Sequence, residues 1–326
     1  MPESKLVQDI YAVVADDFAA VDKCINIQLT SQVPLVTKIA EYIVQAGGKR
    51  LRPLLVLLAS RACGYQGDQQ ISLAAIIEFL HTATLLHDDV VDTSDLRRGK
   101  STANAKWGNA PSVLVGDFLY SRAFQMMVQL GHMDIMNTLS SATNIIAEGE
   151  VMQLMRIRDA NTSEADYLQV IHGKTAMLFE ASTHTAAQLA KSNKEVCESL
   201  RRFGCHLGMA FQLVDDVLDY QGDTEAMGKN IGDDLAEGKP TLPLIYTIQT
   251  GSPEAAKRVR QAIQKPEQVD IKEIIGIISQ SGALDYTLKK ATEQQQLATD
   301  ALAILPPSTY KTALLNLAEF AIKRSF

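Results

Sequence analysis

The chain has 326 residues, 46% apolar and 21% charged, which is the profile of a folded protein with a sizeable core rather than a disordered one. A formal charge of −7 and a pI near 5.4 argue against nucleic acid as the main partner. The four cysteines (Cys24, Cys63, Cys197, Cys205) form no CxxC pair and read as reduced core thiols of a cytoplasmic protein.

In chain order, the N-terminal MPESKLVQDIYAVV carries acids where a signal peptide needs bases. The first strong break is Gly47-Gly48, inside GGKRLRP, followed by a helix that is apolar nearly all round at Leu54–Leu58. GYQGD (Gly64–Asp68) separates it from a second such helix, SLAAIIEFLHTATLLHDDVVD, whose apolar stretch is Ala74–Leu86. Breaks recur around Gly99–Pro111, ahead of the helical PSVLVGDFLYSRAFQMMVQL, and at DANTSEAD (Asp159–Asp166). There, Ser163 and Asp166 resemble a capping box with Asp in place of Glu or Gln. HGKTAM (His172–Met177) ends like a P-loop, but the upstream glycine position is Leu168, so that motif fails. FQLVDDVLDY is again helical, a long break covers Gly222–Pro243, and Pro253, Pro266 and Pro306-Pro307 punctuate the tail. Alternating strand-like segments are missing. No apolar run approaches a membrane span and no linker divides the chain, so a single all-α domain over residues 1–326 is expected.

Two of these helices each carry an Asp-Asp pair and a third aspartate: Asp88, Asp89, Asp92 and Asp215, Asp216, Asp219. One acidic pair alone can be a solvated helix face. Two triplets inside apolar helices require a cation, because stacked carboxylates repel and burial raises the cost. Oxygen-only ligands favour a hard ion, Mg²⁺ or Mn²⁺. The paired ExxH of a di-iron bundle and the loop of an EF-hand are absent. Mg²⁺ commonly bridges carboxylates to substrate phosphates. Bases gather accordingly: Lys49, Arg50 and Arg52 in GGKRLRP; Arg97, Arg98 and Lys100 after the first triplet; Lys174; Lys229 and Lys239 around the second.

As a set, GGKRLRP, LLHDDVVDTSDLRRGKST, Gly173-Lys174-Thr175, FQLVDDVLDY and GKNIGDDLAEGKPTLPL resemble the trans-type polyprenyl diphosphate synthases, closest to the bacterial octaprenyl type. The resemblance covers about residues 40–250 by motif. It implies a single large helical bundle around a deep central cavity, homodimeric, that condenses isopentenyl diphosphate with an allylic prenyl diphosphate, farnesyl diphosphate for preference. The product would be a long-chain polyprenyl diphosphate, octaprenyl for quinone side chains. Asp88 and Asp92 on one wall and Asp215 on the facing wall would bind Mg²⁺, with Asp89, Asp216 and Asp219 in support. Arg97, Lys174, Thr175, Gln212, Lys229 and Lys239 would meet the allylic diphosphate, and Lys49, Arg52, His81 and Arg98 isopentenyl diphosphate. The chemistry would rest on Asp88, Asp89, Asp92, Lys174, Asp215, Asp216 and Lys229. His81, seven residues before Asp88, shares its helix face; without the resemblance it would read as a satisfied core histidine.

Counting back from Asp88 in helical turns gives Thr84, Leu80 and Ile77, the last roughly 16 Å deeper at about 1.5 Å per residue. In the family a bulky aromatic four or five residues before the first triplet stops growth; here those positions are the small Thr84 and Ala83, which implies a long product. Phe124, Met126 and Met127 are candidate floor residues, a stripe that plain core packing would also explain. The rival readings are a shorter-chain synthase such as a geranylgeranyl type, a terpene cyclase, and a non-catalytic subunit of a heteromeric synthase. A cyclase needs neither GGKRLRP nor the second triplet, and a non-catalytic subunit is expected to have lost aspartates or bases. Transient membrane contact at product release fits so apolar a product.

Overall fold

The computed structural model describes residues 5–45, 47–97, 99–221 and 231–323. Its helices run α1 (Lys5–Ala12), α2 (Ala15–Gln28), α3 (Pro34–Val44), α4 (Leu51–Ala62), α5 (Gln69–Val91), α6 (Ala103–Trp107), α7 (Asn109–Leu130), α8 (Met133–Arg156) and α9 (Glu164–Ile171). They continue as α10 (Met177–Leu189), α11 (Lys194–Gln221), α12 (Asp233–Ala236), α13 (Leu242–Thr250), α14 (Pro253–Gln264), α15 (Ile271–Gln280), α16 (Ala283–Ala301) and α17 (Thr309–Lys323). The breaks at Gly47-Gly48, Gly64–Asp68 and Asp159–Asp166 fall between helices or reach a first turn, whereas Gly99–Pro111 contains the short α6 and Gly222–Pro243 contains α12, its residues 222–230 lying outside the described residues. Pro111 lies inside the first turn of α7, while Pro253 opens α14 behind the Ser252 cap. The expected capping box is formed at α9: Ser163 Oγ accepts from the Asp166 N–H, and an Asp166 carboxylate oxygen accepts from the Ser163 N–H. Sequence periodicity did not reveal one sheet. Leu96–Arg97 (β1) and Lys100–Ser101 (β2) pair antiparallel; two-residue strands are too short to show alternation.

The chain forms two compact units. The first comprises Met1–Thr143, Leu178–Gly204 and Ala301–Leu317. At its centre Leu54–Leu58 of α4 and Leu73–Ile77 of α5 are fully buried on every side, as their all-round apolar sequence requires. Helix α5 packs along α7, with the His87 ring lying over Gly116 where a Cβ would meet it, and Ser112 Oγ donates to the Leu86 carbonyl at 3.2 Å. The second unit comprises Asn144–Met177, Cys205–Asp300 and Ala318–Phe326. One apolar cluster there packs Tyr167 and Ile171 of α9 against Leu213 and Val214 of α11; another gathers Val217 and Tyr220 with Val259, Ile263, Ile274 and Ile278. The four cysteines are free but only half-buried, so they border the core rather than fill it.

Candidate functional site

In the first unit, Gly47 and Gly48 (φ +89° and +134°) and Arg50 (φ +39°) make a left-handed turn that ends where α4 begins. This turn sets three bases at the head of a helix buried from Pro53 to Ser60. Arg50 pairs with Asp22 and lies 4.0 Å from Glu78 Oε1, a structural use of charge. The Lys49 carbonyl accepts from Tyr11 Oη. Arg52 is the second residue of α4 and half-buried: its guanidinium stands 4.5 Å over the Phe179 ring, and its Nη1 is 3.0 Å from His81 Nε2. Arginine can only donate, so His81 accepts through Nε2 and carries its proton on Nδ1. The structure thus brings together two residues that the sequence assigned to one substrate.

In the first aspartate run Asp89 is fully buried, while Asp88 and Asp92, the residue capping the C-terminal end of α5, are half-buried. Arg97 on β1 reaches back to Asp89 Oδ1 with Nε at 2.8 Å and Nη2 at 2.7 Å. The Asp89 carbonyl accepts from the Ser94 N–H and from Asn104 Nδ2. Asp89 is therefore the anchor of the β1–β2 hairpin, held through Nε and Nη2 of Arg97. Tyr42 holds the other strand by donating to the Ser101 carbonyl at 2.7 Å. Arg98 lies outside the described residues.

Below Asp88 on the same helix, Ile77, Leu80 and Ala83 are buried, and Thr84 Oγ1 donates to the His81 carbonyl at 2.7 Å. On α7, Met126 and Met127 are buried in the stripe of Val115, Leu119, Ala123 and Leu130. Phe124 is half-buried, its ring 5.1 Å from that of Tyr120.

In the second unit, HGKTA folds as one turn of π-helix, His172–Ala176, directly after α9. Such a turn is uncommon and concentrates at functional sites. It is pressed against α8 through two glycines: a Cβ on Gly149 would lie 2.7 Å from the Lys174 backbone nitrogen, and one on Gly173 would lie 3.1 Å from the Gly149 Cα. This close approach lets Lys174 Nζ bond Glu150 Oε2 at 2.7 Å and Gln153 Oε1 at 2.8 Å. Thr175 Oγ1 donates to Gln212 Oε1 at 2.9 Å, and Gln212 Nε2 donates to Asp216 Oδ1 at 2.8 Å.

The aspartates of α11 sit in a different electrostatic setting. Asp216 and Asp219 are buried and Asp215 is half-buried. The segment after α11 returns Asp234 to them, its N–H 3.4 Å from Asp219 Oδ2. Burial first, then the Asp234 charge, push the Asp216 carboxyl up to about 8 and that of Asp219 up to about 9. Tyr167 Oη donates to Asp216 Oδ2 at 2.6 Å, and burial keeps that phenol protonated by raising its pKa well above the usual value. Lys239 pairs with Glu237, and its N–H donates to the Asp234 carbonyl at 2.8 Å. Lys229 lies outside the described residues.

Residues unassigned from sequence thus enter the site. Asp234 had a visible signal, a third Asp-Asp pair (Asp233-Asp234) inside GKNIGDDLAEGKPTLPL. Glu150, Gln153 and Tyr167 had none, because their relevance depends on which helices meet. Asp216 and Asp219, buried beside the half-buried Asp215 and Asp234, offer an all-oxygen donor set whose mutual repulsion a hard divalent cation would relieve.

The polyprenyl synthetase family model matches residues 33–278. The chain belongs to that family. An octaprenyl diphosphate synthase of Haemophilus influenzae is 49% identical over 323 residues, 98% of each chain. An all-trans-nonaprenyl-diphosphate synthase (geranyl-diphosphate specific) of Rhodobacter capsulatus is 52% identical over 318 residues, 97% of this chain and 98% of the other. A polyprenyl synthase of Caulobacter crescentus, solved with calcium and isoprenyl diphosphate, superposes with a TM-score of 0.95 at 46% identity, over 98% of each chain. The protein is therefore a prenyl-transferring enzyme with the all-α isoprenoid synthase fold. No helix among the described residues is long and apolar enough to cross a membrane.

Proposed function

We propose that the enzyme condenses isopentenyl diphosphate with an allylic diphosphate, farnesyl diphosphate for preference, and repeats the step to a long-chain product of about octaprenyl length. The observation that carries this reading is the pair of aspartate runs on α5 and α11, each supported by its own set of hydrogen-bonding side chains. The two sequence relatives support long-chain synthesis and bracket the length, being named for octaprenyl and nonaprenyl products. We read the two units as one prenyltransferase domain, since the family match draws on both.

In this reading Asp88, Asp92 and Asp215 would hold Mg²⁺, or Mn²⁺, with Asp89, Asp216 and Asp219 in support. Ions bound there would supply positive charge to neutralise the diphosphate and ease its departure from the allylic carbon. The chain's own groups do the rest. Lys174, aimed by the π-turn, with Thr175, Gln212, Arg97, Lys229 and Lys239, hold the leaving diphosphate. Lys49, Arg52, Arg98 and His81 orient isopentenyl diphosphate so that its double bond attacks the allylic cation; Arg52 arrives stiffened by Phe179 and His81. The departing diphosphate takes the final proton. The tail grows along α5 past Thr84, Ala83, Leu80 and Ile77 toward Met126, Met127 and Phe124.

A homodimer fits the exposed apolar residues of α7 and α8: Leu114 and Val128 on the former, Val151, Leu154 and Met155 on the latter. Incubating the protein with labelled isopentenyl diphosphate, farnesyl diphosphate and Mg²⁺, then sizing the dephosphorylated lipid, tests the function. Long polyprenols are expected; cyclic hydrocarbons, or no condensation, would refute it.

A further inference from the structure

The eight-residue helix α9 is tied down at its N-terminus by more polar contacts than its short apolar face accounts for. Beyond the capping box, Arg156 Nη2 bonds Asp166 Oδ1 at 2.7 Å. Tyr286 Oη donates to Glu164 Oε2 at 2.9 Å, and Lys290 Nζ lies 3.6 Å from Glu164 Oε1. Tyr286 is itself stacked on Tyr246, ring centroids 4.3 Å apart. One turn further along α9, Tyr167 delivers its hydroxyl to Asp216.

We propose that Tyr167 is a positioning residue for the second aspartate run, and that the braced α9 is the platform that aims it. The inference rests on the reading that this run holds divalent ions. Asp216 is 1% exposed and receives one donor on each carboxylate oxygen, Tyr167 on Oδ2 and Gln212 on Oδ1. Two donors on different oxygens fix the carboxylate plane while leaving each oxygen a further lone pair. An O–H···O contact of 2.6 Å is at the short end of hydroxyl hydrogen bonds. Removing the phenol oxygen leaves Asp216 held by Gln212 alone. Gln212 in turn fixes Thr175, so the loosening reaches both the ion-holding and the diphosphate-holding residues. Partners of this outer kind set metal affinity rather than the chemistry itself.

A tyrosine that merely fills the core would lower stability without moving the response to the ion. The test is thermal melting of the Tyr167→Phe protein titrated with Mg²⁺ in the presence of inorganic diphosphate, beside the Mg²⁺ dependence of turnover. The half-saturating Mg²⁺ concentration is expected to rise about 10-fold or more, with kcat at saturating Mg²⁺ within about threefold of wild type. Thr247→Val is the control: it deletes a buried hydroxyl bonded to Ser281 Oγ at 2.8 Å in the same unit, and its Mg²⁺ midpoint should not move. A midpoint unchanged in Tyr167→Phe beside a responsive wild type overturns the inference alone, as does an equal shift in Thr247→Val. A wild type indifferent to Mg²⁺ and diphosphate overturns the functional reading and the inference with it. Should Tyr167→Phe not fold, Glu164→Gln, which loosens the brace, should shift the midpoint in the same direction, and no shift overturns the inference.

Discussion

The aspartate runs of α5 and α11 share one pattern in sequence and differ in how their buried members are held. Asp89 is answered by a formal positive charge, Arg97, which ties it to the β1–β2 hairpin. Among the described residues the hydrogen-bond partners of Asp216 are neutral, Tyr167 and Gln212, and a further carboxylate, Asp234, raises its pKa. The first run is therefore electrostatically completed by its own unit at one position, whereas the second gathers carboxyls that resist ionising together. Repeated motifs need not be equivalent parts: here one copy organises a basic hairpin, and the other concentrates carboxylates at which a divalent ion would relieve repulsion.

The comparison can be broken at several points. Alanine at Asp88 or at Asp215 should each lower turnover by about 10²–10³-fold while leaving the helical circular dichroism intact. Near-normal Mg²⁺-dependent activity in either would remove that run from the site. Arg97→Met strands a fully buried carboxylate and should cost about 3–5 kcal/mol by chemical denaturation; a loss well under 1 kcal/mol would mean that Asp89 does not depend on Arg97. Ala83→Tyr, about 7.5 Å below Asp88 along α5, should shorten the product to a few isoprene units in a sizing assay. Unchanged length would show that the tail does not follow this helix. Asp216→Asn should act oppositely to Arg97→Met on stability, raising the metal-free melting temperature by about 2 °C or more while lowering turnover, because it relieves the crowding with Asp234. The smallest effect is Ser163→Ala, about 1 kcal/mol from the lost cap, measured by thermal melting.

Much of this was legible in the sequence because the relevant signals are local. All-round apolar runs at Leu54–Leu58 and Ala74–Leu86 can only be interior helices, and they are. Ser163 and Asp166 lie three residues apart, so their capping box needs no tertiary information. The aspartate runs and the bases stood out by charge against apolar surroundings. What stayed hidden depends on pairing between distant segments. The π-turn at His172–Ala176 follows from the meeting of Gly149 and Gly173, which periodicity cannot register. Tyr167 reads as one more apolar face residue of α9 until α11 is laid beside it. Arg97 reads as a free base until the hairpin folds it onto Asp89.

The most direct measurement is anomalous diffraction from crystals grown with Mn²⁺ and a non-reactive allylic diphosphate analogue. The account predicts Mn²⁺ peaks at coordination distance, about 2.0–2.2 Å, from carboxylate oxygens of Asp88 and Asp92 and of Asp215, with the analogue's diphosphate on the same ions. Density for the analogue with no Mn²⁺ at either aspartate run, or with Mn²⁺ at one run only, would contradict it.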